Sequence, residues 1–197
     1  MALKKLQFLL QGVSPLILHN GQTADPLNKF AKAMKQISSK RAKTDADYEA
    51  MAKLEWQASL YINKEGRICL PDFGLESAFA SGARKLKLGK HVQAGLFVDR
   101  HCPLIFDGDT LSLEELWERD ENRLTVAVRV QRNRVMRTRF KVDEWSAIVP
   151  ATYSDGLLNK SQIVDIIAKT GEECGMFDWR PKFGRFVSEI HAAKAAA

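Results

Sequence analysis

Leu60-Tyr61-Ile62, then Asn63-Lys64-Glu65-Gly66, then Arg67-Ile68-Cys69-Leu70-Pro71-Asp72 is the stretch on which the fold class turns. Two β-forming runs flank a Gly-containing turn, which predicts a hairpin. Pro71-Asp72 then leads into Leu75, Phe79, Gly82 and Leu86, one face of a helix whose end carries Arg84, Lys85 and Lys87. A hairpin running straight into a helix belongs to an α+β arrangement with antiparallel pairing rather than to a doubly wound parallel sheet.

Toward the N-terminus, Leu6, Phe8 and Leu10 alternate with Lys5, Gln7 and Gln11, the period of a half-buried strand. A turn-rich passage follows, from His19-Asn20-Gly21 to Asp25-Pro26, with a helical piece around Phe30, Met34 and Ile37. Thr44 with Asp47 three residues on reads as a capping box, and Tyr48, Met51, Leu54 and Ala58 continue at helical spacing. Toward the C-terminus, Leu96-Phe97-Val98 and Leu104-Ile105-Phe106 predict short strands, and Ser112 caps an acidic helix. Leu124, Val126, Val128 and Val130 point one way and Arg123, Thr125, Ala127 and Arg129 the other, which predicts a strand with a cationic face. The β pattern continues through Phe140, Trp145, Ala147, Val149, Ala151 and Tyr153. Asn159 caps a last helix that stops at Gly171, and a Gly-rich loop leads to a final strand.

A chain of 197 residues with 45% hydrophobic content supports one domain, here residues 1–197 with an insertion at about 19–58. No apolar run has the roughly 18–20 residues of a membrane helix, and Met1-Ala2-Leu3-Lys4-Lys5 does not open a signal peptide, so the expectation is a soluble cytoplasmic protein without a membrane partner. Cys69, Cys102 and Cys174 fit neither a disulfide framework nor a paired zinc motif, and His91, His101 and Cys102 lack ligand spacing; no metal and no cofactor are expected.

The net charge of +6 is modest, but its distribution is uneven. Arg129, Arg132, Arg134, Arg137, Arg139 and Lys141 follow one another without an acid and equal the whole excess. A second acid-free run holds Lys29, Lys32, Lys35, Lys40, Arg41 and Lys43, and a third Arg84, Lys85, Lys87 and Lys90. Acids gather between Asp107 and Glu121. Such segregation suits a polyanion-facing side; the alternative is a set of solvated faces that cancel in space.

Three places resemble the RAMP superfamily of CRISPR-associated RNA-binding proteins, in particular the subunit that polymerises along guide RNA. Val13-Ser14-Pro15-Leu16-Ile17-Leu18-His19-Asn20-Gly21 is similar to the family's opening, followed by a long insertion. Ile68-Cys69-Leu70-Pro71 into Leu75-Glu76-Ser77-Ala78-Phe79 is similar to the turn into its first conserved helix, without the Ser-Leu-Lys-Gly segment. Gly175-Met176-Phe177-Asp178-Trp179-Arg180-Pro181-Lys182-Phe183-Gly184-Arg185-Phe186 resembles its glycine-rich loop, with fewer glycines. The departures suit a compact or virus-encoded relative. The resemblance implies a ferredoxin-like, RNA-recognition-motif core with an antiparallel sheet and inserted thumb or finger segments.

Lys and Arg neutralise phosphates and aromatic rings offer stacking faces, so the candidate nucleic-acid-binding residues are the cations of 29–43, Arg129, Arg132, Arg134, Arg137 and Arg139, together with Trp179, Arg180, Lys182 and Arg185. Trp145 and Trp179 are open to either stacking or core packing. The expected partner is single-stranded RNA, a guide RNA by the resemblance, with CRISPR effector subunits or further copies assembling along it, or a viral protein that mimics such a subunit. Two alternatives stand beside it. Complementary charged faces would make a protein-interaction or phage structural or inhibitory module. His19 and Asp25 would make an RNA endonuclease, although Asn-Gly and Asp-Pro turns explain that loop equally well. With no P-loop, dinucleotide fingerprint or serine nucleophile elbow, a non-catalytic binding protein is favoured.

Overall fold

A computed structural model describes residues 2–191. The chain runs β1 (Leu3–Gly12), β2 (Leu16–Ile17), α1 (Lys29–Ser38), α2 (Asp45–Ser59), β3 (Cys69–Leu70), α3 (Asp72–Lys85), α4 (Gly89–Gly95), β4 (Leu96–Val98), β5 (Cys102–Pro103), α5 (Leu113–Glu118), β6 (Arg123–Val130), β7 (Asn133–Val142), β8 (Ser146–Ser154), α6 (Lys160–Lys169) and β9 (Phe186–Ile190). The architecture is α+β with antiparallel sheets. It divides into two compact units. The first takes the chain up to Leu16, Ile62–Asp109 and everything from Asp143 on; the second takes Ile17–Tyr61 and Thr110–Val142.

In the first unit the strands stand in the order β4-β8-β1-β9, each neighbouring pair antiparallel. The period of two sets the register: Phe8 faces Val149 and Leu10 faces Ala147, all four buried, while Lys5 faces Thr152 and Gln7 faces Pro150 on the other side of the sheet. Helices follow β1 and β8 in sequence. Their apolar faces, Leu75, Ala78 and Phe79 of α3 and Ile163, Ile166 and Ile167 of α6, are buried, each large side chain contributing roughly 1.5–3 kcal/mol. At Gly82 the two helices come so close that a Cβ would fall on Thr170 Oγ1.

The expected 60–70 hairpin is shorter than its pattern. Leu60 ends α2, its N–H donating to Gln57 O, so only Ile62 and Ile68 bridge across the Asn63–Gly66 turn. Cys69–Leu70 then pairs with Cys102–Pro103, which moves the strand expected at 104–106 two residues back. Residues 89–95, a short stretch with glycine at both ends, form α4.

The second unit is built on Trp56. Its indole N–H donates to Asn122 O at 2.8 Å, and its ring meets Trp117 at 5.7 Å and Phe140 at 6.0 Å, both edge-on. The sheet order is β2-β7-β6. Beside the two-residue β2, the outer edge of β7 is also paired by side chains of α2. Thr138 N–H donates to Glu55 Oε2 at 3.0 Å and Phe140 N–H to Ser59 Oγ at 3.0 Å, while Phe140 O accepts from Leu18 N–H. Glu55 and Ser59 are four apart, one turn of helix, and so present two acceptors in line to the strand edge. The Thr44–Asp47 capping box starts α2 and Ser112 caps α5 as the sequence predicts, and Glu115 completes a second box there.

The hairpin corrects the expectation of one cationic face. Its register sets Val126 opposite Arg137, Leu124 opposite Arg139 and Arg129 opposite Arg134. Residues paired across an antiparallel ladder share a face, so Arg137 and Arg139 lie on the side of Leu124 and Val126, and Arg129 and Arg134 lie on the other. The cations of β7 occupy both odd and even positions, and no strand can turn both to one side.

Candidate nucleic-acid interface

Helix α2, with Glu55, Ala58 and Ser59, and three further segments of the second unit converge on a cleft of about 490 Å³. The first is the turn after β2, which supplies His19, Asn20 and Thr23. Asn20 is fixed there: its Nδ2 donates to Leu60 O at 3.0 Å and its Oδ1 accepts from Gln22 N–H at 3.2 Å. The second is α1, started by Asn28, whose Oδ1 accepts from Phe30 N–H at 2.9 Å. Lys29, Lys32 and Lys35 recur every three residues along it, and Ala31, Met34 and Lys35 line the cleft. The third is β7, which brings Arg137 and Arg139 over Glu55.

Glu55 organises the charge. Arg137 Nη1 donates to Glu55 Oε1 at 2.5 Å, and Arg139 Nη1 lies 3.9 Å from Oε2 and donates to Thr138 O at 3.1 Å. The side chains are 34% exposed for Arg137, 12% for Arg139 and 17% for Glu55. His19 Nε2 stands 3.4 Å from Arg139 Nη2. Two guanidinium groups and the Lys35 ammonium thus share the cleft with a single carboxylate. Held arginines present planar forks to an incoming oxyanion with little rotamer entropy left to lose. Such a set suits an anion; the same lining also holds one histidine, His19, and one carboxylate, Glu55.

Asp25 lies outside this cleft. It is exposed, and its Oδ1 accepts from Leu27 N–H at 2.8 Å, the bond of a turn. Lys40 is committed to Asp47 at 2.5 Å, and Lys43 Nζ donates to Lys40 O at 3.0 Å; Arg41 is exposed, and Lys29 sits 4.9 Å above the Phe30 ring. At the far end of the hairpin Arg129, Arg132 and Arg134 are all exposed and form no ion pair among the described residues. The acids of 107–121 take other partners: Asp109 pairs with Arg67, Glu121 with Arg119, and Asp120 with Arg123.

In the first unit, the loop before β9 carries the remaining candidates. Met176 N–H donates to Gly184 O at 3.0 Å, and Gly184 N–H donates to Pro15 O at 2.8 Å. Gly184 stands at φ +71°, where a Cβ would fall on the Met176 carbonyl oxygen, so only glycine serves. Phe177 and Trp179 hold left-handed backbone at φ 61° and 52°, rare for bulky residues. Trp179 is half-buried, 6.2 Å from Phe183, and Arg180, Lys182 and Arg185 are exposed. Trp145 is a core residue: it is buried, its Nε1–H donates to Ser14 O at 3.0 Å, and its ring meets Phe186 at 6.3 Å.

Burial pushes the Cys69 thiol up to about 11 and the Cys102 thiol up to about 12, so both are protonated, unreactive side chains. Among the described residues no group of three His, Cys, Asp or Glu side chains is placed to hold a metal ion, and no helix is long and apolar enough to cross a membrane.

Glu55 and Met34 of the cleft are not legible as site residues from spacing alone. One signal for Glu55 exists: it interrupts the apolar side of α2 between Met51 and Ala58, and a carboxylate there needs a cationic or hydrogen-bonding partner. No family model matches the chain, and no curated protein matches it either.

Proposed function

We propose that the chain binds single-stranded RNA without reading its sequence, in the manner of a guide-RNA backbone subunit of a CRISPR effector or of a viral protein that mimics one. The observation that carries the proposal is the cation arrangement of the second unit. A cleft holding Lys35, Arg137 and Arg139 against one carboxylate lies in the same unit as a hairpin end bearing three exposed arginines with no ion pair among the described residues. Such cations neutralise phosphates and release counterions whatever the base sequence.

The first unit supports the same assignment. Leaving aside the short β3–β5 pair, the chain passes through β1, α3 and α4, β4, β8, α6 and β9, and the sheet order β4-β8-β1-β9 with antiparallel neighbours supports reading this unit as a ferredoxin-like, RNA-recognition-motif core. The two segments of the second unit fall between its strands in sequence, where inserted thumb or finger segments belong. The exposed Arg180, Lys182 and Arg185 add a further set of phosphate contacts, with Trp179 beside them as an aromatic face. His19 lines the cleft and Asp25 does not, so the pair named for the endonuclease alternative is not brought together there.

Binding of a fluorescent single-stranded RNA to nuclease-treated protein, followed against salt, tests the proposal. Each phosphate contact adds about 0.7 to the log–log slope, so the three hairpin-end arginines alone predict a slope of roughly −2 or steeper. Affinity indifferent to salt would sink the proposal.

A further inference from the structure

The geometry points to the cleft of the second unit as a seat for a phosphate monoester, the terminal phosphate of a nucleotide, rather than for an internal phosphodiester. The inference rests on the RNA-binding proposal and narrows it to one end of the strand. The cleft is concave and about 490 Å³ in volume, within the range of small-ligand sites and large enough for one nucleotide. An open groove would suit a strand passing through; a cleft suits an end.

Its charge makes the same distinction. Among the residues that line it, Lys35, Arg137 and Arg139 are the lysine and arginine cations and Glu55 is the carboxylate, a formal excess of two positive charges. An internal phosphodiester carries one negative charge and would leave one cation unanswered. A phosphate monoester carries about −1.5 to −2 near pH 7 and three acceptor oxygens, which matches the charge and gives one oxygen for each of the three cationic groups. The cleft is also mixed in character. Beside the guanidinium groups and Lys35, the lining includes Ala31, Met34 and Ala58, apolar side chains suited to the attached ribose and base. Asn20, held by its bond to Leu60 O, fixes the turn that closes one side.

The test compares one oligoribonucleotide in three forms, with a 5′-phosphate, a 3′-phosphate or hydroxyl groups at both ends, together with a free nucleoside monophosphate as competitor. One phosphorylated form is expected to bind on the order of 10-fold more tightly than the hydroxyl form, as one or two charge-assisted hydrogen bonds provide. Preference for the 5′- or the 3′-phosphate names the strand end, and competition by the monophosphate at similar affinity names a free nucleotide instead. Lys35→Glu is expected to bring the phosphorylated-to-hydroxyl ratio close to one. Arg132→Glu should weaken every oligonucleotide and keep the ratio. Three equal affinities with no competition would overturn the monoester seat and leave RNA binding standing; no binding by any form would overturn both.

Discussion

At the base of the β6–β7 hairpin the arginines are held, and at its end they are loose. Arg137 and Arg139 share the Glu55 carboxylate and are largely covered, with Arg139 only 12% exposed. Arg129, Arg132 and Arg134, on the same two strands and their turn, are exposed and have no carboxylate partner among the described residues. One linear run of cations therefore does two jobs. Those at the base are part of the fold and gain direction from it, whereas those at the end contribute charge and little else.

The sharpest way to break this contrast is Glu55→Gln. It leaves two neighbouring guanidinium groups without their counter-charge and weakens the bond to Thr138 N–H. A loss of about 2–3 kcal/mol in urea unfolding is expected, toward the low end for a covered ion pair because Arg137 remains partly exposed. A loss under about 0.5 kcal/mol would show that the base arginines are as loose as those at the end.

The complementary change, Arg129→Ser, Arg132→Ser and Arg134→Ser together, should leave stability within about 0.5 kcal/mol. It should reduce the salt slope of RNA binding by about 2, the sum of three single-strand phosphate contacts. A variant that unfolds more readily, or whose slope is unchanged, would erase the distinction between base and end.

The smallest effect concerns Lys40, a cation of the insertion that is also committed. Its hydrogen bond to Asp47, aided by the Thr44 N–H, holds the Asp47 carboxyl below the ordinary 3.8. A carboxyl lowered in the folded state stabilises at pH above 3.8 and loses that contribution as pH falls through its lowered value. Thermal melts of the protein and of Lys40→Met should therefore differ slightly at neutral pH and converge in acid below 3.8. A gap that widens in acid would contradict the pairing.

Much of this was legible in the chain. The alternation of Leu6, Phe8 and Leu10 announces β1, and three residue pairs, Thr44 with Asp47, Ser112 with Glu115 and Asn159 with Gln162, mark helix starts because capping is a local matter of three residues. The site was legible only in part. The cations were visible, but Glu55 meets Arg137 across 82 positions, and no local pattern encodes such a pair. The division of the hairpin's arginines depends on register, which the turn at Gln131 and Arg132 sets; Gln131 stands at φ 54°, a conformation its side chain does not advertise. Helix α4 escaped for a different reason: glycines at both ends lower its intrinsic preference, and the packing of Val92 into the core makes up for it.

The most direct test of RNA binding through the second unit is ultraviolet cross-linking of the nuclease-treated protein to a labelled single-stranded RNA, with the cross-linked peptides identified by mass spectrometry. Cross-links in residues 129–139, strongly reduced when Arg129, Arg132 and Arg134 are replaced by serine, are the expected result. Cross-links confined to other segments and unaffected by that replacement, or none at all, would contradict it.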